Sequence, residues 1–196
     1  MQRIVVGITG ASGSIYGLRL VEELLRANQE VSLLLSSAGR QVLAYETGLQ
    51  LDSESESCLR QLRGHFAVGE SLKYYGMDDF FAPVTSGSNA PDAVVICPCS
   101  MGTLGRIAAG LSDSLLERVA DVVLKEKKTL LLVPRETPFN QIHLENLLRV
   151  SQAGGQILPA MPAFYQKPQS VEEMVDFVVG KVLDQLGVKH QLFQRW

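Results

Sequence analysis

Short apolar runs alternate with amphipathic stretches along almost the whole chain. Arg3 to Thr9 contains Ile4, Val5, Val6 and Ile8. It has no alternating polar positions, which predicts a strand buried on both faces. Gly10-Ala11-Ser12-Gly13-Ser14 comes next as a turn, and Ile15 to Ala27 has helical periodicity. Glu30 to Ser36 predicts a second buried strand, and Ala38 to Thr47 a helix stopped by Gly48. Ala93 to Cys97 predicts a third strand, succeeded by a helix over Met101 to Ala109 and another over Ser112 to Lys125. Thr129 to Val133 predicts a fourth strand closed by Pro134, then a helix over Asn140 to Ala153. Gln156 to Leu158 predicts a short fifth strand. Prolines between Pro159 and Pro168 exclude a regular element. Ser170 caps a last helix, Val171 to Leu186, with Glu172 and Glu173 in its first turn.

Residues 50 to 80 carry the weakest pattern. Acids and serines alternate from Asp52 to Ser57, as in a solvated turn or a helix start, and Lys73 to Phe81 mixes aromatic and acidic residues.

Buried strands alternating with helices predict an α/β fold: a parallel sheet with helices on both faces, in three layers. At 196 residues the chain is expected to form a single domain over 1–196. Ligands of such folds bind beyond the carboxyl ends of the strands. This directs attention to Gly10 to Ser14, to Ser36 and Ser37, to Ser100 to Thr103, and to Arg135 with Glu136.

Charge and composition remove several classes. A formal net charge of −3 gives no basic field for nucleic acid or an anionic membrane. The longest apolar runs are far short of the roughly 20 residues that a spanning helix needs. No secretory leader is legible, so a cytoplasmic protein is expected. Three cysteines, Cys58, Cys97 and Cys99, make no disulfide framework, and with three histidines no metal set has the right spacing. Cys97 and Cys99 are expected to be buried small hydrophobes at a strand end.

The strand-end motifs narrow the chemistry further. No Gly-Lys-Ser/Thr succeeds the first glycines, which excludes a P-loop. The loop runs Gly10-x-x-Gly13-x-x-x-Gly17, and the second strand ends in Ser36-Ser37 rather than an acid, so the dinucleotide fingerprint is absent. There is no nucleophile elbow. What remains is glycine and serine at several strand ends, suited to a ligand with phosphate and carbonyl groups. Each loop also has a plain alternative: a tight turn at Gly10 to Gly13, N-capping by Ser100, and a surface ion pair of Arg135 with Glu136. Arg118 and Lys125, seven residues apart on one helix face, read equally as solvated charges, as does Lys181. Tyr165 reads equally as a packed ring.

Five motifs together resemble the UbiX family of flavin prenyltransferases. They are Gly7 to Gly13 (GITGASG), Cys97 to Leu104 (CPCSMGTL), Asp121 to Glu126 (DVVLKE), Val133 to Pro138 (VPRETP) and Pro162 to Tyr165 (PAFY). The resemblance spans nearly the whole chain and is weakest from Leu51 to Val84. It implies a Rossmann-like flavoprotein fold, assembly as a dodecamer, and transfer of a dimethylallyl group from dimethylallyl monophosphate to N5 and C6 of reduced FMN without a metal. The product it implies, prenylated FMN, serves a UbiD-type decarboxylase.

Carried over by motif, Gly10, Ala11, Ser12, Ser36, Ser100, Met101, Gly102, Thr103 and Arg135 would hold FMN, with Ser12 close to the reacting centre. Tyr165 and Lys181 would bind the dimethylallyl phosphate, strengthened by Arg118 and Lys125 across subunits. Glu46 and Glu136 match acids near the prenyl group and phosphate, with Glu136 or the released phosphate as the base. Lys181 replaces the arginine that the family pattern would put there, which keeps the charge and loses the bidentate fork. Two other readings share the flavin: a cysteine decarboxylase-type flavoprotein, whose catalytic histidine has no counterpart here, and a non-catalytic FMN carrier.

Overall fold

A computed structural model describes residues 1–194. The last two positions of the expected 1–196 domain, Arg195 and Trp196, lie outside the described residues. β1 (Arg3–Ile8) leads into α1 (Ser14–Arg26), and β2 (Glu30–Leu35) into α2 (Ser37–Thr47). Next come α3 (Ser55–Phe66) and β3 (Leu72–Tyr75), then two short 3-10 turns, Pro83–Thr85 and Gly87–Asn89. β4 (Ala93–Cys99) precedes α4 (Met101–Ala108) and α5 (Leu115–Lys125). β5 (Thr129–Pro134), α6 (Gln141–Gln152), β6 (Gln156–Ile157) and α7 (Val171–Gln185) complete the order.

All neighbouring strands pair in parallel, in the order β3-β2-β1-β4-β5-β6. The chain therefore winds outward from β1 in both directions. Between β1 and β4 the direction reverses, and a crevice opens beyond the strand ends. Successive strand residues feed opposite cores, as a two-residue period requires. Ile4, Val6 and Ile8 join Leu20, Leu24, Leu62, Val178 and Val182 on one face. Val5, Val94, Ile96, Leu130 and Leu132 join Leu104, Leu116, Val119 and Val123 on the other. Both faces being covered is why these strands read as continuous apolar runs.

The structure departs from the sequence reading in the region of weakest pattern. A sixth strand, β3, pairs with β2 at the sheet edge. It spans four residues in which the exposed Lys73 sits between buried Leu72 and Tyr74, an alternation too short for a run-based signal. The acid-serine stretch starts a full helix, α3, capped by Glu54, whose carboxylate accepts the Glu56 and Ser57 amides at 2.8 and 2.6 Å. The helix expected from Ser112 begins instead at Leu115. Ser114 is its N-cap, in a reciprocal box with Glu117.

β4 runs through Pro98 to Cys99, two residues beyond the expected strand, and its register with β5 shifts between Ile96 and Cys99. Proline offers no ladder N–H, so the regular pairing breaks there. Cys97 and Cys99 are fully buried, as the sequence implies.

Candidate active site

Four chain segments converge beyond the carboxyl ends of β1, β2, β4 and β5. At the junction of β1 and β4, Thr9 is 1% exposed. Its hydroxyl donates to the Pro98 carbonyl at 2.9 Å and accepts the Ser100 amide at 2.8 Å. This ties the first glycine loop to the Ser100 turn. Thr9 was not among the expected site residues. Its signal in sequence is a hydroxyl at the last strand position before a glycine turn.

The first loop owes its shape to two glycines. Gly13 has φ of 103°, a left-handed conformation that a side chain disfavours. At Gly10 an added Cβ would come 2.6 Å from the Ala38 Cβ, so the loop lies directly on the start of α2. Ala11 is buried and Ser12 is exposed at the loop apex.

The positive N-terminal end of α1 carries an internal anion. Glu46, from the last turn of α2, accepts the Gly13 amide at 3.1 and 3.0 Å through its two oxygens and the Ser14 amide at 2.8 Å. Burial pushes the Glu46 carboxyl up, but the Ser12 hydroxyl and the Ser14 and Gly13 amides outweigh it and hold its pKa below the ordinary carboxylate value. Beside it the buried Ser14 hydroxyl also helps to lower the Glu46 carboxyl.

Ser36 and Ser100 both cap helices. The Ser36 hydroxyl accepts the Gly39 amide at 2.9 Å, and Ser100 accepts the Thr103 amide at 3.3 Å. Capping leaves each of them at its strand end, so the structural role and the ligand role coincide in place. Met101 turns its side chain into the second core, which leaves its backbone as the part able to meet a ligand. Gly102 is exposed and Thr103 is 3% exposed.

Arg135 extends from the end of β5, and its Nε donates to the Ser12 carbonyl at 3.0 Å. Glu136 is exposed and accepts the Thr137 amide at 3.0 Å. Among the described residues these two form no ion pair with each other, so the surface-pair alternative fails. Tyr16 is a second residue the sequence reading missed. Burial, then the neighbouring Cys97, pushes its phenol up, and the Arg135 guanidinium pulls it down. It stands in the first turn of α1, near enough to Cys97 and Arg135 to feel both.

The single chain does not gather all the expected cations at this crevice. Tyr165 and Lys181 meet elsewhere, on Phe177. The Tyr165 ring sits edge-on to Phe177 at 5.8 Å, and the Lys181 ammonium lies 5.9 Å from the Phe177 centroid and 5.7 Å from that of Phe193. Arg118 pairs with Asp121 at 3.7 Å on α5. Lys125 ends α5 and pairs with Glu126, near Gly87. α5 runs back toward the amino ends of the strands, so Lys125 lies at the end of the sheet opposite its own crevice.

The histidines are spent elsewhere. His143 closes the capping box of α6 with Asn140, His190 lies buried 3.1 Å from Asp184, and His65 ends α3. Among the described residues no group of three or more His, Cys, Asp or Glu side chains is arranged to hold a metal. None of their helices is long and apolar enough to cross a membrane.

Hydroxyls, backbone amides and one guanidinium at a β1–β4 switch point are a donor set for phosphate and ring-carbonyl oxygens. That set fits FMN, and it puts the protein in the class of α/β flavoproteins. The flavoprotein family model matches residues 1–183. A flavin prenyltransferase UbiX of Halalkalibacterium halodurans is 52% identical over 97% of this chain and 91% of that protein. The crystal structure of AnUbiX in complex with FMN and dimethylallyl pyrophosphate superposes with a TM-score of 0.89 at 39% identity, covering 100% of this chain and 97% of that one. A dodecameric FMN-dependent UbiX-like decarboxylase from Escherichia coli O157:H7 superposes at 0.88 with 38% identity, over 99% of this chain and 98% of that one. The chain belongs to the flavoprotein family and, within it, to the UbiX flavin prenyltransferases.

Proposed function

We propose that this protein joins the dimethylallyl group of dimethylallyl monophosphate to reduced FMN and releases prenylated FMN for a UbiD-type decarboxylase. The observation that carries this reading is the convergence of Ser12, Glu46, Arg135 and the Ser100–Thr103 turn at one crevice. Membership of the UbiX family supports it.

Reduced FMN supplies the nucleophilic N5 and C6 positions. Gly10, Ala11, Ser12, Ser36 and the Ser100–Thr103 turn hold its polar oxygens, and Arg135 fixes the loop through the Ser12 carbonyl. Arg118, Lys125 and Lys181, with the Tyr165 hydroxyl, neutralise the phosphate as the allylic C–O bond breaks and the electron pair leaves on oxygen. Bond formation at N5 releases the N5 proton, and ring closure adds one proton to the prenyl alkene and removes one from C6; exposed Glu136, which accepts the Thr137 amide, would pass these protons together with the released phosphate. Ser12 and Glu46 flank the reacting centre.

Lys125 points away from its own crevice, so it serves a neighbouring copy. The dodecameric neighbour supports a closed homo-oligomer for this chain. Exposed Ile142, Leu144 and Leu148 on α6 offer an apolar surface for it. We treat 1–196 as one catalytic domain, on the support of its one continuous sheet. We place it in the cytoplasm, on the support of three unpaired cysteines.

The test is anaerobic incubation with reduced FMN and dimethylallyl monophosphate, with mass spectrometry of the released flavin. A gain of one prenyl unit is expected. Unmodified flavin from protein that binds both ligands, with the diphosphate donor also inert, would leave an FMN carrier as the function.

A further inference from the structure

The only charged side chain buried in the described core is Glu117, at 2% exposure. A buried carboxylate is costly unless each oxygen is paired. Here one oxygen accepts the Arg106 Nε, and the other accepts the amides of Asp113 and Ser114 at 3.0 and 3.1 Å. The two amides close the turn between α4 and α5 through one oxygen, and Arg106 supplies the partner of the other together with the counter-charge.

Arg106 has a second contact. Its Nη2 donates to the Thr103 hydroxyl oxygen at 3.3 Å, and the Ser100 hydroxyl donates to the same oxygen at 3.0 Å. A threonine hydroxyl has two acceptor sites and one proton. Both acceptor sites are filled from within the protein, and the proton has no acceptor among the described residues. Donation into the oxygen also strengthens the remaining O–H as a donor.

We propose that Arg106 and Glu117 are positioning residues: the pair holds the Thr103 hydroxyl so that its proton is presented to an acceptor oxygen of the bound flavin nucleotide. The inference rests on the reading of Ser100–Thr103 as flavin contacts. A guanidinium is required because one planar fork reaches Glu117 and Thr103 at once. Lysine would keep the charge beside Glu117 and lose the contact to Thr103.

Titration with FMN, monitored by flavin fluorescence, tests this on Arg106→Lys, Thr103→Val, their double variant and Thr103→Ser, with thermal melts as the check on folding. Thr103→Val is expected to weaken FMN binding about tenfold, the scale of one lost hydrogen bond to a charged group. Arg106→Lys is expected to weaken it severalfold, the double variant no more than Thr103→Val alone, and Thr103→Ser to bind nearly as wild type. Folded variants whose losses multiply in the double, or an Arg106→Lys protein that binds FMN normally, would overturn the relay. Wild-type protein that binds no FMN would overturn the functional reading itself, so the two failures are distinct.

Discussion

The carboxylate of Glu46 accepts the Ser14 amide at 2.8 Å, so an acid from the end of α2 occupies the positive end of α1. In a fold that commonly uses a helix N-terminus for a ligand phosphate, this one is already filled. Glu46 thereby orders the Ser12 loop, and through it the Ser12 carbonyl that meets Arg135.

Glu46 should make stability depend on pH with a definite sign. A carboxyl held below its ordinary value stabilises the fold above the unfolded pKa, about 4.3, and that gain fades as pH falls through the lower folded value. Glu46→Gln is expected to cost about 0.5–1 kcal/mol at pH 7, the scale of one charge at a helix end. Melting both proteins from pH 7 to pH 3 checks this. The gap should close only below pH 4, and should narrow in high salt.

Arg135 should matter for the flavin and little for the fold. Its guanidinium donates to a carbonyl at the mouth of the crevice, outside both cores. Arg135→Met is expected to weaken FMN binding about tenfold, near 1.4 kcal/mol, with the melting temperature within a few degrees of wild type. Fluorescence titration and a thermal melt read the two quantities. A large loss of stability with unchanged affinity would make Arg135 a structural residue.

Cys97 and Cys99 should be inert in the native state. Burial pushes the Cys97 thiol up, as does its neighbour Cys99, and burial takes Cys99 to about 12 despite the Arg106 charge nearby. At pH 8 neither is a thiolate, and neither is accessible. A thiol reagent is expected to label them only after denaturant is added. Rapid labelling of the folded protein would show that the β4 end opens.

The apolar face of α6 should decide assembly. Leu144 and Leu148 are 54% and 58% exposed, one helical turn apart. The double change Leu144→Lys, Leu148→Lys is expected to shift the protein to smaller species in light scattering, with its far-ultraviolet spectrum unchanged. Prenyl transfer should fall with it, as the proposed role of Lys125 toward a neighbouring copy requires. An intact oligomer in that variant would place the interface elsewhere.

Burial governs which elements are legible in the sequence. The strands on both sides of the β1–β4 junction are readable because two covered faces demand unbroken apolar runs. The loops after them are readable because glycine and serine punctuate the chain there. β3 is not, since in an edge strand of four residues Lys73 interrupts the apolar run and the alternation is too short to read. Ser12, Ser36, Ser100 and Arg135 stand out as polar residues just past the carboxyl ends of strands, where this fold class binds its ligands. Thr9 and Tyr16 do not, because one closes a strand and the other sits inside a helix, where hydroxyls and rings usually only pack.

Sequence alone determined the alternation of buried strands and amphipathic helices, the family, and the residue types at each strand end, because these depend on local period and on motifs of a few residues. Tertiary structure alone decided which of those groups meet. Glu46 reaches Gly13 across 33 positions, and Arg135 reaches Ser12 across 123. It also set Lys125 at the far end of the sheet, though helix periodicity puts it on the same face as Arg118. Contacts across such separations depend on sheet order and helix direction, and no local spacing encodes either.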